Sequence, residues 1–137
     1  MPQIRFDPSK AVTFDLANGL VQLSGASARL SGLSAQVRQG DAVRPRDWWD
    51  GRPFQRVLLD APCSASGIVR RHPDVRWLRR RSDIATLARR QSEMLAALWG
   101  VLEPGGTLLF ATCSVFRAEG DQVVERFCAR QADAAIA

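Results

Sequence analysis

Two apolar runs that each lead into a cysteine constrain this chain more than any other feature. Residues 54–60 (FQRVLLD) run into Ala61-Pro62-Cys63, and residues 107–112 (TLLFAT) run into Cys113-Ser114. Both runs are short and apolar, as buried strands are, and Pro62 ends the ladder it follows. Between them Ile84, Leu87, Gln91, Met94, Leu95, Leu98 and Val101 recur at helical spacing and mark the apolar side of one long helix. Strand, helix and strand in that order form a parallel crossover unit. Parallel strands present their carboxyl ends at one edge of the sheet, so both cysteines are expected at that edge.

The rest of the chain continues the alternation. Residues 11–15 (AVTFD) read as a short buried strand ending in Asp15. Leu20, Leu23, Ser27 and Leu30 then recur at helical spacing up to Gly32, and residues 35–39 read as a strand followed by Gly40 and Asp41. The stretch 44–53, with two prolines and Trp48-Trp49, reads as a loop or a single helical turn. Residues 64–82 are polar, arginine-rich and irregular. Ser82 or Asp83 suits the cap of the long helix, and Pro104-Gly105-Gly106 the turn after it. A final helix over 119–130 buries Val123, Val124 and Phe127. Three strands therefore end in or beside an acid (Asp15, Asp41, Asp60), and ligands of open α/β sheets bind beyond those ends.

Composition narrows the class. A chain of 137 residues holds one ordinary domain, and 46% hydrophobic with 24% charged residues argues against disorder. No apolar run approaches the ~20 residues that cross a bilayer, and MPQIRFDPSK has no apolar signal region. The expected location is the cytoplasm, with no membrane partner. The formal charge is +5, and Lys10 is the lone lysine. Residues 70–90 concentrate eight arginines against Asp74 and Asp83, a candidate phosphate-binding face. Three cysteines, none in a C-x-x-C pair, and a single histidine point away from a disulfide framework and from a zinc site.

The segments DAPCSASG (60–67) and ATCS (111–114) together resemble the fourth and sixth motifs of the Nop/Sun family of RNA cytosine-5 methyltransferases, particularly its Sun-type bacterial members that act on 16S ribosomal RNA. The resemblance continues through the arginine-rich loop after Cys63, RQSEML (90–95) and EPGGTLLFATCSVFRAEGD (103–121). It implies a Rossmann-like class I methyltransferase fold with S-adenosylmethionine as cofactor and RNA, most naturally ribosomal RNA, as partner. It also implies that residues 1–137 are part of a catalytic domain. The family's glycine-rich PGGK-type loop and first strand have no counterpart before Asp15, nor does a last hairpin follow the final helix, so the expected fold is incomplete. A missing N-terminal portion of the same enzyme is expected to supply the rest, and the 137 residues alone are expected to be of uncertain activity.

The roles implied by the resemblance follow the motifs. Cytosine C5 is a poor nucleophile until a thiolate adds at C6, which is covalent catalysis. Cys113 carries over as that nucleophile, Cys63 as the residue that resolves the adduct, and Asp60 as the acid facing the N3/N4 edge of the base. Asp15, Asp41 and Asp60 carry over as cofactor contacts, and Arg70, Arg71, His72 and Arg76 as RNA contacts. Cys128, beside Phe127, reads as packing. Three other readings stay open: a non-catalytic RNA-binding remnant, a tRNA cytosine-5 methyltransferase of the same family, and a Rossmann-like methyltransferase of amino groups. The second cysteine motif argues against the last, because amine methylation needs no thiolate.

Overall fold

The computed structural model describes the backbone of a strand at residues 12–15 and all of residues 40–137. The helix expected up to Gly32 and the strand expected at 35–39 lie outside the described residues. Three parallel strands form one sheet in the order β1 (Val12–Asp15), β2 (Phe54–Asp60), β3 (Leu102–Ala111). A short helix α1 (Val75–Leu78) and a long helix α2 (Arg81–Trp99) connect β2 to β3, and α3 (Asp121–Cys128) follows. No described helix is long and apolar enough to cross a membrane.

Strand register decides which side chains form the core. Val57 and Leu59 lie opposite Leu108 and Phe110, and residues paired in register share a face. That face packs on Met94, Leu95 and Leu98 of α2 and on Val123 of α3, with Leu59, Leu98 and Val123 fully buried. Trp99 and Phe127 meet edge to face at 5.4 Å and dock α3 against α2. The opposite face is thinner: Leu109, which pairs with Leu58, is 59% exposed. The apolar run at 107–112 suggested a strand covered on both faces, but among the described residues nothing covers the side of Leu109.

Several boundaries differ from the sequence reading. The long helix starts at Arg81, with Arg80 as its N-cap. Asp83 acts from the third helical position, where its Oδ2 accepts the Arg80 N–H at 2.9 Å. Val101 is buried just past the end of that helix rather than on it. Pro104-Gly105-Gly106 is no free turn but an irregularity inside β3, where the register with β2 shifts between Phe54 and Arg56 and Gly105 takes φ 79°. The last helix begins at Asp121, after a 3₁₀ turn at Arg117–Glu119. Residues 64–82 are more regular than expected, holding a 3₁₀ turn at Ser66–Ile68 as well as α1. The 44–53 stretch contains a single 3₁₀ turn, Pro45–Asp47.

Leu59→Ala removes a fully buried side chain from the central strand and is expected to cost about 2–5 kcal/mol, read by urea denaturation. Leu109→Ser, on the open face, should cost under about 1 kcal/mol. Equal costs at the two positions would contradict the burial assigned to the two faces.

Candidate functional site

The carboxyl ends of the three strands stand in one line, since Asp15 pairs with Asp60 and Asp60 with Ala111. The turns that leave β2 and β3 there carry the two cysteines. Ala61 N–H donates to the Ala111 carbonyl at 2.8 Å, which holds the turns side by side. Cys63 and Cys113, 50 residues apart in sequence, bring their sulfurs to 3.1 Å as free thiols. Cys63 is buried and Cys113 exposed.

Close backbone contact fixes this pairing. Gly67 N–H donates to the Cys113 carbonyl at 2.8 Å, and a Cβ on Gly67 would lie 2.6 Å from that same oxygen. No side chain fits there, so the glycine is dictated by approach rather than by φ. Ala65 holds a left-handed conformation at φ 60°, a strained choice for a residue with a Cβ. On the other side of the turn, Gln91 of α2 is fully buried and donates its Nε2–H to the Pro62 carbonyl at 2.8 Å.

A buried carboxylate completes the frame. Glu119, fully buried, accepts the Ser64 N–H at 2.7 Å and the Ser64 and Ser114 hydroxyls at 2.6 Å each. Ser66 Oγ lies 3.1 Å from Ser114 Oγ and accepts the Val115 N–H at 2.9 Å. Ser114 Oγ also accepts the Phe116 N–H at 3.1 Å. None of these residues was singled out from the sequence. Glu119 sits among exposed charges at Arg117, Asp121 and Glu125 and reads there as one more solvated acid. The single hint was its place in FRAEGD, within the stretch of family resemblance.

Cys113 is a weaker acid than an ordinary thiol. Cys113 is pushed up to about 11, first because packed protein on its inner side desolvates the thiolate, then because Cys63 hydrogen-bonds to it and adds charge beside it. The charge of Asp60 acts in the same direction, which places Asp60 within electrostatic reach of the pair. Asp60 is itself exposed at its strand end.

The other anticipated residues are distributed around this centre. Asp41 is held below the usual carboxylate range, first by the Val43 N–H at 3.0 Å and also by Arg90 of α2 at 2.8 Å. It is thereby tied to α2 and not to the cysteine pair. Asp15 reaches the common edge by its backbone register. A groove of about 440 Å³ beside Ser64 and Ser66 has Val75, Ile84 and Phe116 as apolar lining and Arg76, Arg79, Arg80 and Arg81 as basic lining. Of the four anticipated RNA contacts only Arg76 lines it. His72 lines a neighbouring hollow with Leu78 and Arg79, and Arg70 and Arg71 are exposed on the turn before α1. Arg79, Arg80 and Arg81 belong to the sequence cluster noted above but were not named as contacts.

A cofactor with hydroxyl and amine donors needs acceptors at such an edge, and the acids present are of that kind. Among the described residues Asp41 Oδ2 faces the Arg44 guanidinium at 3.8 Å, and Asp60 ends a strand beside Asp15. These acceptors suit a ligand that offers hydroxyl and amine donors, as S-adenosylmethionine does.

Known proteins give this geometry a context. The sequence profile of the family described as 16S rRNA methyltransferase RsmB/F matches residues 14–137. The chain is 53% identical over 105 residues to the ribosomal RNA small subunit methyltransferase B of Klebsiella pneumoniae, covering 77% of this chain and 24% of that protein. It is similar in structure to PH0851 (TM-score 0.70, 29% identity, 78% of this chain and 24% of that one). It is similar also to NSun6 from Pyrococcus horikoshii, solved with SFG (TM-score 0.64, 27% identity, 77% and 27%). The chain thus spans about a quarter of the length of the curated relatives it matches.

Two outcomes follow from the packing around the sulfurs. Gly67→Ala is expected to cost about 1–3 kcal/mol, measured by denaturation, because the new methyl must displace the Cys113 carbonyl. Alkylation of Cys113 should accelerate only as pH climbs toward about 11. In Cys63→Ala that midpoint should move down, while desolvation and Asp60 keep it above the ordinary thiol value of about 8.5. An unmoved midpoint would show that Cys63 does not act on Cys113.

Proposed function

This chain belongs to the 16S rRNA methyltransferase RsmB/F family, and from that premise we propose that residues 1–137 form part of a catalytic domain methylating cytosine C5 in ribosomal RNA of the 16S type. The observation that carries the reading is the 3.1 Å contact between two free thiols at the carboxyl ends of adjacent parallel strands. Methylation of an amino group requires no thiol, so a thiol pair at this edge favours methylation at carbon. Relatives named for ribosomal RNA favour that substrate over tRNA.

In this reading Cys113, the exposed member, adds its sulfur to C6 of a cytosine held out of its stack. The addition turns C4–C5 into an electron-rich enamine, and the Asp60 carboxyl facing the N3/N4 edge accepts from the exocyclic amine and orients the base. S-adenosylmethionine, the family's cofactor, supplies an electrophilic methyl group when bound. Asp15, Asp41 and Asp60 would hold it, and SFG in the Pyrococcus relative supports a cofactor of that class. After methyl transfer the C5 proton must leave and the Sγ–C6 bond must break. Cys63, 3.1 Å from the departing sulfur, is the residue assigned to that release.

The raised pKa of Cys113 makes its thiolate scarce but strongly nucleophilic once formed, and the Cys63 sulfur lies 3.1 Å away. RNA would approach over the groove lined by Arg76, Arg79, Arg80 and Arg81, with Arg70, Arg71 and His72 contacting phosphates farther along the strand.

The test is trapping of the covalent adduct with cytosine-containing ribosomal RNA, in the full-length enzyme that carries this segment. Cys113→Ala should abolish the adduct, and Cys63→Ala should let it accumulate while turnover stops. The reverse pattern would overturn both assignments, and transfer to an exocyclic amine would overturn the reading of the reaction.

A further inference from the structure

We propose that Glu119 is the positioning residue that sets the separation of the two cysteine sulfurs. It makes none of the bonds of the proposed reaction, and the proposal rests on that reading only for its relevance to turnover. Glu119 lies fully buried on the 3₁₀ turn ahead of α3, and its carboxylate accepts from the residue immediately after each cysteine. Ser64 gives it both a backbone N–H and a hydroxyl, and Ser114 gives it a hydroxyl. No other buried acid or base is present among the described residues.

The hydrogen count leaves little freedom. Each serine hydroxyl has one proton, and both protons point at Glu119 Oε2. The 3.4 Å gap between Ser64 Oγ and Ser114 Oγ is therefore no bond between loops, because neither hydroxyl has a proton left for it. Ser66 can still donate to Ser114 Oγ, and the Gly67–Cys113 backbone bond adds a second link. Those links hold Gly67 and Ser66 to the Cys113 loop, whereas the carboxylate ties the residues that directly follow the two cysteines, Ser64 and Ser114, to one point. The turn that carries Glu119 is itself placed by Val123 and Phe127 packing on α2, so the position of the acid is set from outside both loops. Glu119→Ala would leave the buried Ser64 N–H without its acceptor and release the Ser64 and Ser114 hydroxyls from theirs, and relief would come from the loops moving apart. Glutamine keeps the length and one acceptor oxygen, with its amide facing hydroxyls that can turn to accept.

The sulfur separation can be read without RNA, methyl donor or turnover. In a glutathione buffer the pair exchanges with glutathione disulfide, the protein thiols being oxidised to a Cys63–Cys113 disulfide as two glutathione thiols are formed. The equilibrium gives the effective concentration of one thiol at the other. Glu119→Ala should lower it by about tenfold or more, with Glu119→Gln recovering most of the loss. Alkylation of Cys113 should shift to lower pH in Glu119→Ala as Cys63 withdraws, while alkylation of Cys128 stays unchanged and reports an intact fold. Should Glu119→Ala fail to fold, Ser114→Ala removes one of the three contacts and should lower the effective concentration by about threefold. An effective concentration within about twofold of the parent in the folded variant, or in Ser114→Ala, overturns the proposal. Failure of adduct formation in the full-length enzyme would instead count against the reaction and leave this result standing.

Discussion

The Glu119 carboxylate is where the fold and the thiol pair meet. Burying an acid costs several kcal/mol unless its oxygens are met by donors. Glu119 meets that condition with groups from the two loops that carry the cysteines. The dependence runs outward from there. Trp99 and Phe127 dock α3 on α2, Val123 seals the contact, and the turn ahead of α3 is thereby fixed. A core made of aliphatic and aromatic side chains thus determines where a single acid sits, and the acid determines where Ser64 and Ser114 sit.

Parallel topology explains why residues 50 positions apart can act as one group. An antiparallel hairpin would place the carboxyl ends of neighbouring strands at opposite edges, and two motifs that follow strands would face apart. Here β2 and β3 end level, Asp60 beside Ala111, and the chain leaves both at the same height. The cost of this arrangement is local strain. Ala65 adopts a conformation suited to glycine, while Gly67 is where a side chain would strike the other turn. Strain of about 1–3 kcal/mol persists only where neighbours over-determine the backbone. Ser64 and Ser66, bonded on either side of Ala65, supply that constraint.

The legible parts of the sequence were those with a period or a pairing of motifs. β2 was readable because an apolar run stops at Pro62, and α2 because Ile84, Leu87, Gln91, Met94, Leu95 and Leu98 recur at helical spacing. The cysteine pair was readable as chemistry because each thiol follows a strand, and family membership came from the two motifs taken together. Glu119 was not readable: burial of a charged residue depends on partners distant in sequence, and Ser64 is 55 residues away. The start of β3 was missed for a similar reason. Pro104-Gly105-Gly106 has the composition of a turn, and only pairing with β2 reveals the irregularity that absorbs it. The helix cap was misplaced because Asp83 suits both the cap and the third helical position, and local sequence does not distinguish them.

Charge is better understood by where it is spent than by its sum. Arg44, Arg90 and Arg117 are engaged by Asp41, Asp47, Glu93, Asp121 and Glu125 within the chain. Their contribution to an external potential is largely cancelled. Arg76, Arg79, Arg80 and Arg81 form no ion pair among the described residues, and they line the groove that opens beside Ser64 and Ser66. Asp60 makes the opposite contribution, a small negative centre at the strand ends whose charge acts on Cys113. A polyanion would be repelled by that centre and drawn to the groove. The arrangement therefore favours a ligand whose phosphates lie on the arginines and whose neutral part reaches the sulfurs, which is the geometry of a nucleotide entering base first.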